Sequence, residues 1–233
     1  MDNQIARLYG QSVTSSTEAG AHQDAHTGRI DKRVAILVAA LQTFLQQGYG
    51  LARVETIAEA AGVAKPTVYN HFRDKETLFR TVILDGTRRT TDSIVAAVDA
   101  VPDTGGDITR LLTRLAHSVI KCQLSDEGWA LLRLMYAEAP HFPDLFDQAL
   151  IQGGTRVHNA LAGRLARLAS RGLLDIPDPD TAASHFLALV SGDLPALSAL
   201  GTRAVPAGKL RDAVTVGVDT FLRAFGPGTH EPR

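Results

Sequence analysis

Polar side chains are concentrated in one short segment near residue 70 of this chain. The segment carries Lys65, Thr67, Tyr69, Asn70 and His71. Val68 and Phe72 are four residues apart, so a helix in this segment would bury both and turn the polar groups outward. A short exposed helix with such donors and acceptors fits the major groove of DNA, where an asparagine can pair with adenine through two hydrogen bonds. The pattern therefore predicts sequence-specific recognition of double-stranded DNA.

A second helix must position this segment, and residues 54–72 contain one. Gly62, Val63 and Ala64 separate two short helical stretches, which is the spacing of a helix-turn-helix. Gly62 allows the positive φ that a sharp turn needs. A plain helical hairpin would have the same outline, but adjacent Tyr, Asn and His side chains and a flanking lysine favour DNA binding. The predicted DNA-binding residues are Arg53, Thr56, Lys65, Pro66, Thr67, Tyr69, Asn70, His71 and Lys75.

The distribution of charge supports this prediction. The chain has 233 residues and a formal net charge of −1, with 24 Lys and Arg residues against 25 Asp and Glu residues. Positive charge is concentrated in residues 29–90, where ten basic residues stand against six acidic ones. A small basic module on a near-neutral chain can bind the phosphates of a nucleic acid locally.

Residues 33–82 also resemble the TetR family of transcriptional repressors in residue type and spacing. The matching residues are Phe44, Gly48-Tyr49, Ile57-Ala58, Ala61-Gly62-Val63, Thr67, Tyr69, Phe72, Lys75-Glu76 and Leu78-Phe79. The resemblance implies a homodimer that places two recognition helices on a palindromic operator. It also implies a C-terminal half that forms the dimer and often holds a small-molecule pocket.

Hydrophobic periodicity predicts an all-α fold of about nine helices. Val34, Leu37 and Leu41 recur at three and four residues, which predicts an amphipathic helix that begins near Asp31 and ends at Gly48. Asp107 and Asp178 are expected to cap later helices at their N-termini. The predicted organisation is a disordered tail, a helix-turn-helix DNA-binding domain, a helical ligand-binding and dimerisation domain, and a C-terminal tail, at residues 1–28, 29–74, 75–226 and 227–233.

Bulky apolar side chains cluster between residues 129 and 146, where they are candidates for a ligand pocket. Pockets between helices are mostly apolar and have few polar groups, and His117 and Tyr136 would supply those groups here. An ordinary core produces the same sequence pattern. The run 133–146 resembles the effector domain of one branch of the TetR family. The predicted ligand-binding residues are His117, Trp129, Leu132, Met135, Tyr136, Phe142 and Phe146.

Two helices near the C-terminus are candidates for a dimer interface. The segment 180–200 is apolar on nearly all sides, so one face is left over after it packs on its own subunit. The last helix has an apolar stripe of Leu210, Val214, Val218, Phe221 and Phe225. Together these helices could form a four-helix bundle across a two-fold axis. A fully buried helix in a monomer is the alternative.

Other classes of function find little support in the sequence. Cys122 is the single cysteine, so no internal disulfide forms, and no run of 18 apolar residues predicts a membrane span. No catalytic constellation, cofactor motif or metal site is recognisable, so we expect no enzyme activity, no cofactor and a cytoplasmic location. The sequence predicts a ligand-responsive transcriptional regulator, with a repressor favoured, that an apolar or aromatic effector releases from DNA. The alternative is a helical small-molecule-binding protein or enzyme that has lost DNA binding.

Overall fold

The computed structural model describes residues 22–102 and 107–228, with side-chain positions from Asp31 onward. These residues form nine helices of seven or more residues and one single-turn helix, with no strand among them. The helices are α1 (His22–Leu51), α2 (Val54–Ala60), α3 (Lys65–Phe72), α4 (Lys75–Asp99), α5 (Ile108–Gln123), α6 (Asp126–Glu138), α7 (Pro143–Ser170), α8 (Pro179–Ser191), α9 (Leu194–Leu197) and α10 (Ala207–Phe225). The all-α prediction is confirmed.

The first helix begins earlier than its periodicity predicts. It starts at His22 rather than near Asp31, so residues 22–28, assigned to a disordered tail, are helical. Once the amphipathic turns after Val34 have formed, adding residues to the same helix costs little, even without an apolar face. The rest of the predicted tail, residues 1–21, lies outside the described residues, as do residues 229–233 of the C-terminal tail.

Two glycines shape the helix-turn-helix region as the sequence predicts. Gly48 interrupts α1 with a φ of 72° and a ψ of 173°. Gly62 has a φ of 65° in the turn after α2, and the Val63 amide donates to the Ala58 carbonyl across that turn at 3.0 Å. Both glycines have a positive φ, which glycine adopts without a steric clash because it has no Cβ.

The chain divides into two compact units. The first unit comprises residues 1–86 together with Leu134–Phe146. In it, α1 packs against α2 and α3, and the rings of Phe44 and Phe79 meet edge to face at 5.0 Å. The predicted domain border after residue 74 stays a prediction, because compactness does not show which residues bind DNA and which bind an effector.

The second unit comprises Thr87–Arg133 and Asp147–Arg233. Its core is one apolar cluster from α4, α5, α7, α8 and α10. Asp107 and Asp178 cap α5 and α8 as predicted, since each side chain accepts a backbone N–H at 3.0 Å. Hydrogen bonds from Thr181 keep the pKa of Asp178 below its ordinary value. Gly153 of α7 lies against Thr87 and Thr91 of α4, which is close helix packing.

The packing of α8 and α10 corrects the predicted dimer face. Val214, Val218 and Phe221 are buried within their own subunit, because the apolar stripe of α10 packs on α5 and α8. The predicted long helix 180–200 is also interrupted, and α8 ends at Ser191 before the single turn of α9. The residues of these helices left at the surface include Leu189, which is 37% exposed, and Val216, which is 64% exposed.

Helix α1 between Asp31 and Leu51 is long and apolar enough to cross a membrane, by length and composition alone. Ile36, Leu41 and Phe44 on this helix are fully buried in the first unit. The core of a helical protein needs this apolar character, so the packing accounts for the composition of α1.

Candidate functional site

Helix α3 presents the predicted polar cluster on one face. Val68 and Phe72 are buried at 2% and 3% exposure, which fixes the rotation of the helix about its axis. Lys65, Pro66, Tyr69 and Asn70 are exposed, and Thr67 and His71 are half-buried beside them. Pro66 lies in the first turn of α3, where its missing N–H leaves no donor unpaired. Arg53 and Thr56 are exposed at the start of α2.

Lys65 connects the two helices of the motif. Its ammonium lies 2.5 Å from Glu55 on α2 and 5.8 Å from the centre of the Tyr69 ring. The hydrogen bond with Glu55 raises the pKa of Lys65 and lowers that of Glu55. Both side chains are largely exposed, so the pair is a weak structural link.

Lys75, at the start of α4, is held by the end of α1. Its ammonium donates to the Gly50 carbonyl at 3.3 Å and lies 4.5 Å from the centre of the Tyr49 ring. A cation over an aromatic face is stabilised by about 0.5–2 kcal/mol, depending on its exposure to water. The position of this predicted phosphate ligand therefore depends on the last turn of α1.

Two arginines near α3 are absent from the predicted DNA-binding residues. Arg73 ends α3 with a φ of 56°, and its side chain is 90% exposed. Arg33 of α1 lies over the Phe72 ring at 5.4 Å. Both arginines lie within the basic stretch 29–90, and that excess of positive charge is the sequence feature that could have identified them. Arginine beside a recognition helix is suited to phosphate contacts.

The predicted ligand-binding residues divide between the two units. Met135, Phe142 and Phe146 line a small cleft in the first unit, with a volume of about 10 Å³ and open to solvent. Four further residues complete its wall, namely Phe79, Ile83, Glu138 and Leu145. Tyr136 is exposed and contacts Phe146 at 5.3 Å between ring centres. His117, Trp129 and Leu132 belong to the second unit, so the cleft does not include them.

Trp129 is buried under the turn that follows α9. A Cβ on Gly201 would lie only 2.3 Å from the Trp129 ring, so glycine is required at that contact. Ala199, Leu200 and Gly201 all have positive φ, at 47°, 54° and 79°. Arg133 donates to the Leu200 carbonyl at 2.5 Å. Trp129 is therefore a core residue that is covered by a tight turn.

The segment 134–146 makes specific polar contacts inside the first unit. Glu138 accepts the Tyr49 N–H at 2.9 Å. Arg80 of α4 donates to both carboxylate oxygens of Asp144, at 2.7 and 3.2 Å, and this pairing holds the pKa of Asp144 below its ordinary value. No sequence pattern indicated these contacts, because their partners are far apart along the chain.

Comparisons with known proteins match both halves of the chain. A family model of bacterial regulatory proteins of the tetR family matches residues 36–82. A model of the C-terminal domain of AefR-like transcriptional repressors matches residues 110–227. Together these matches cover the helix-turn-helix and most of the second unit.

Solved structures show the same fold. A TetR-family transcriptional regulator from Mesorhizobium loti is 31% identical with a TM-score of 0.75, and the match covers 85% of this chain and 98% of that one. The flavonoid-responsive regulator FrrA is 28% identical with a TM-score of 0.67, covering 84% and 98%. The transcriptional activator FasR of Mycolicibacterium smegmatis is 37% identical over 70 residues, which span 30% of each chain.

Proposed function

Because the chain belongs to the TetR family of bacterial transcriptional regulators, we propose that it is a repressor that binds operator DNA through α3. The observation that carries this proposal is the exposed polar face of α3, whose opposite face is fixed by Val68 and Phe72. Thr67 and Asn70 read base edges, and Tyr69 and His71 contact bases or phosphates. Arg53, Thr56, Lys65, Pro66 and Lys75 lie at the DNA backbone.

Selection from a pool of random duplexes tests this function and identifies the operator in the same experiment. The wild-type chain is expected to enrich one palindromic sequence, and the Asn70→Ala variant a sequence with one relaxed position in each half-site. An Arg or Asn contact to a base edge contributes about 1–3 kcal/mol of discrimination. No enrichment by the wild-type chain above the input pool would refute the proposal.

A homodimer gives the palindrome its physical basis. The proposed interface is the outward face of α8 and α10, which includes Leu189 and Val216. Gly217 allows these two helices to approach closely, since a Cβ at that position would meet the Leu189 carbonyl. Two copies of α3 would then meet the major groove about 34–36 Å apart, one turn of DNA. Equilibrium sedimentation of the wild-type chain tests the dimer, and a monomer at micromolar concentration contradicts it.

The effector we propose is an apolar or aromatic small molecule. The cleft in the first unit is lined by six apolar side chains and one carboxylate. Because its volume is only about 10 Å³, an effector that enters it must widen it. The relative FrrA is flavonoid-responsive, which makes flavonoids the first class to test. An effector that binds one spacing of the recognition helices better lowers DNA affinity by that difference, commonly about 1–3 kcal/mol. Flavones, flavanones and isoflavones should be titrated into the protein–operator complex.

The fluorescence of Trp129 separates two locations for the effector. A ligand in the second unit, near His117 and Leu132, should change this signal at the concentrations that release DNA. A ligand confined to the cleft should instead lose affinity in Phe142→Ala while the Trp129 signal stays constant. Release of DNA with neither response would place the effector outside both sets of predicted residues.

The location and reaction class follow from this role. We propose that the protein acts in the cytoplasm, where its DNA target lies, and that it regulates transcription without catalysing a reaction. Incubation of the candidate effector with the protein should return it chemically unchanged, as judged by mass spectrometry. A product that accumulates with time would support the alternative of an enzyme.

A further inference from the structure

One hydrogen bond joins the end of α6 to the last turn of α1, just after its kink at Gly48. The Glu138 carboxylate accepts the Tyr49 N–H at 2.9 Å, across 89 residues of sequence. The Glu138 side chain is 13% exposed, and its second oxygen lies 3.3 Å from the His141 ring nitrogen. A partly buried carboxylate bound to a backbone N–H is a stronger acceptor than a neutral group. This bond therefore holds the turn at Tyr49 in one place.

Gly48 supplies the backbone conformation found beside this bond. The residue has a φ of +72°, which glycine adopts readily, and a Cβ there would only be in ordinary contact with the bonded oxygen of Glu138, at 3.4 Å. The backbone at Gly48 thus turns out of α1 directly beside the carboxylate. The geometry of the α1 end and the position of Glu138 depend on each other.

The Tyr49 ring extends the connection to Lys75. The ring packs on Phe79 at 4.9 Å and on Phe142 at 4.8 Å. It also meets the Lys75 ammonium, 4.5 Å from the ring centre, which donates to the Gly50 carbonyl as well. Backbone and ring of Tyr49 are thus held by the segment 134–146, and Tyr49 and Gly50 in turn hold the ammonium.

We propose that Glu138 is a positioning residue for DNA binding, which fixes the turn at Tyr49 and through it places the Lys75 ammonium for a DNA phosphate. This inference rests on the proposed DNA-binding role of Lys75. Glu138 touches no DNA in this proposal. Because Glu138 and Phe142 also line the cleft, the same contacts connect the wall of the cleft to a phosphate ligand.

The salt dependence of DNA binding separates a positioning role from a merely structural one. Each phosphate contact adds about 0.9 to the slope of log affinity against log salt concentration, or about 1.8 for a dimer. Binding to a random 30-base-pair duplex suffices, because phosphate contacts do not depend on sequence. Glu138→Ala should flatten the slope by about 1.8 relative to Glu138→Gln. Both variants lose the same charge, but the glutamine oxygen still accepts the Tyr49 N–H.

Two further variants complete the design. Lys75→Ala should flatten the slope by the same amount, and adding Glu138→Ala to it should cause no further change, because both remove one contact. Asp144→Asn is the matched control, since that carboxylate lies in the same segment and bonds Arg80 instead. Its slope should equal the wild-type slope.

Exchange of the Tyr49 amide proton tests the local contact without DNA. The chain has four tyrosines, so labelling with ¹⁵N-tyrosine gives few signals, and Tyr49→Phe identifies the relevant one. Glu138→Ala should accelerate exchange at Tyr49 about tenfold or more, because the Tyr49 amide loses the hydrogen bond that protects it from exchange with water. Glu138→Gln and Asp144→Asn should leave it near the wild-type rate.

The outcomes distinguish the inference from the proposed function. Equal slopes in Glu138→Ala and Glu138→Gln, or additive losses with Lys75→Ala, overturn the positioning role. A wild-type chain that binds no duplex at low salt refutes the function, while the amide exchange still tests the contact. If Glu138→Ala does not fold, Tyr49→Leu removes the ring under Lys75 and should flatten the slope by the same amount; an unchanged slope there also overturns the proposal.

Discussion

Gly217→Ala tests the close contact between α8 and α10 in the second unit, on which the proposed dimer face depends. An ideal Cβ at Gly217 of α10 would lie 2.7 Å from the Leu189 carbonyl oxygen and 3.2 Å from a methyl of Val190. The first of these atoms belongs to the backbone of α8 and cannot rotate away. Ordinary contact begins near 3.4 Å, so the two helices must separate by about 0.7 Å to admit one methyl group.

Two opposing effects set the size of the change. Overpacking of a core typically costs about 1–3 kcal/mol, whereas replacing glycine by alanine inside a helix gains about 0.8–1 kcal/mol. The net expectation is a loss of up to about 2 kcal/mol of unfolding free energy. Gly154→Ala is the matched control. Gly154 lies in the interior of α7 with nothing within 4 Å of its Cβ position, so it should show only the gain.

Urea unfolding followed by circular dichroism measures both variants. All samples need one protein concentration, because the stability of a dimer depends on it. The urea midpoint should fall for Gly217→Ala and rise for Gly154→Ala, with unchanged slopes. If Gly217→Ala is as stable as Gly154→Ala, the close approach of α8 and α10 is wrong.

Three further predictions concern DNA binding, assembly and acid stability. Asn70→Ala should relax base preference at one position per half-site, whereas Lys75→Ala should weaken binding to all sequences and flatten the salt slope by about 1.8 per dimer. Binding titrations over several salt concentrations measure both effects. Equal losses for both variants on every sequence would contradict the assignment. Leu189→Arg and Val216→Arg should shift the sedimentation equilibrium toward monomer, because an unpaired charge would be desolvated at the interface. Arg223 is exposed on α10, and the control variant Arg223→Ala should leave the equilibrium unchanged. The Arg80 guanidinium lowers the pKa of Asp144 below 3.8, so the ion pair stabilises the fold above pH 3.8 and this stabilisation is lost as the pH falls through the lowered pKa. The difference in urea midpoint between the wild-type chain and Asp144→Asn should therefore shrink below about pH 4. A difference that grows on acidification would contradict this prediction.

The sequence alone determined the features that depend on near neighbours in the chain. Gly62 at the turn, the buried pair Val68 and Phe72, and the caps Asp107 and Asp178 all act within a few residues. A helix repeats every 3.6 residues, so spacing indicates which side chains share a face. The recognition helix and its polar face could therefore be predicted before any packing was known.

Periodicity was insufficient where a face could be covered by more than one neighbour. The stripe of Val214, Val218 and Phe221 is equally apolar whether it meets its own subunit or a second copy. The structure buries it internally and leaves Val216 and Leu189 at the surface. The predicted start of α1 was wrong for a related reason, since helix extension beyond the packed turns leaves no apolar pattern to detect.

Only the tertiary structure decided the contacts across long separations. Glu138 meets Tyr49 across 89 residues, and Arg80 meets Asp144 across 64. A carboxylate on an exposed-looking helix face has the same sequence signature whether it faces water or a backbone N–H. Which of these occurs depends on how distant helices pack, because that packing sets where each polar group finds its partner.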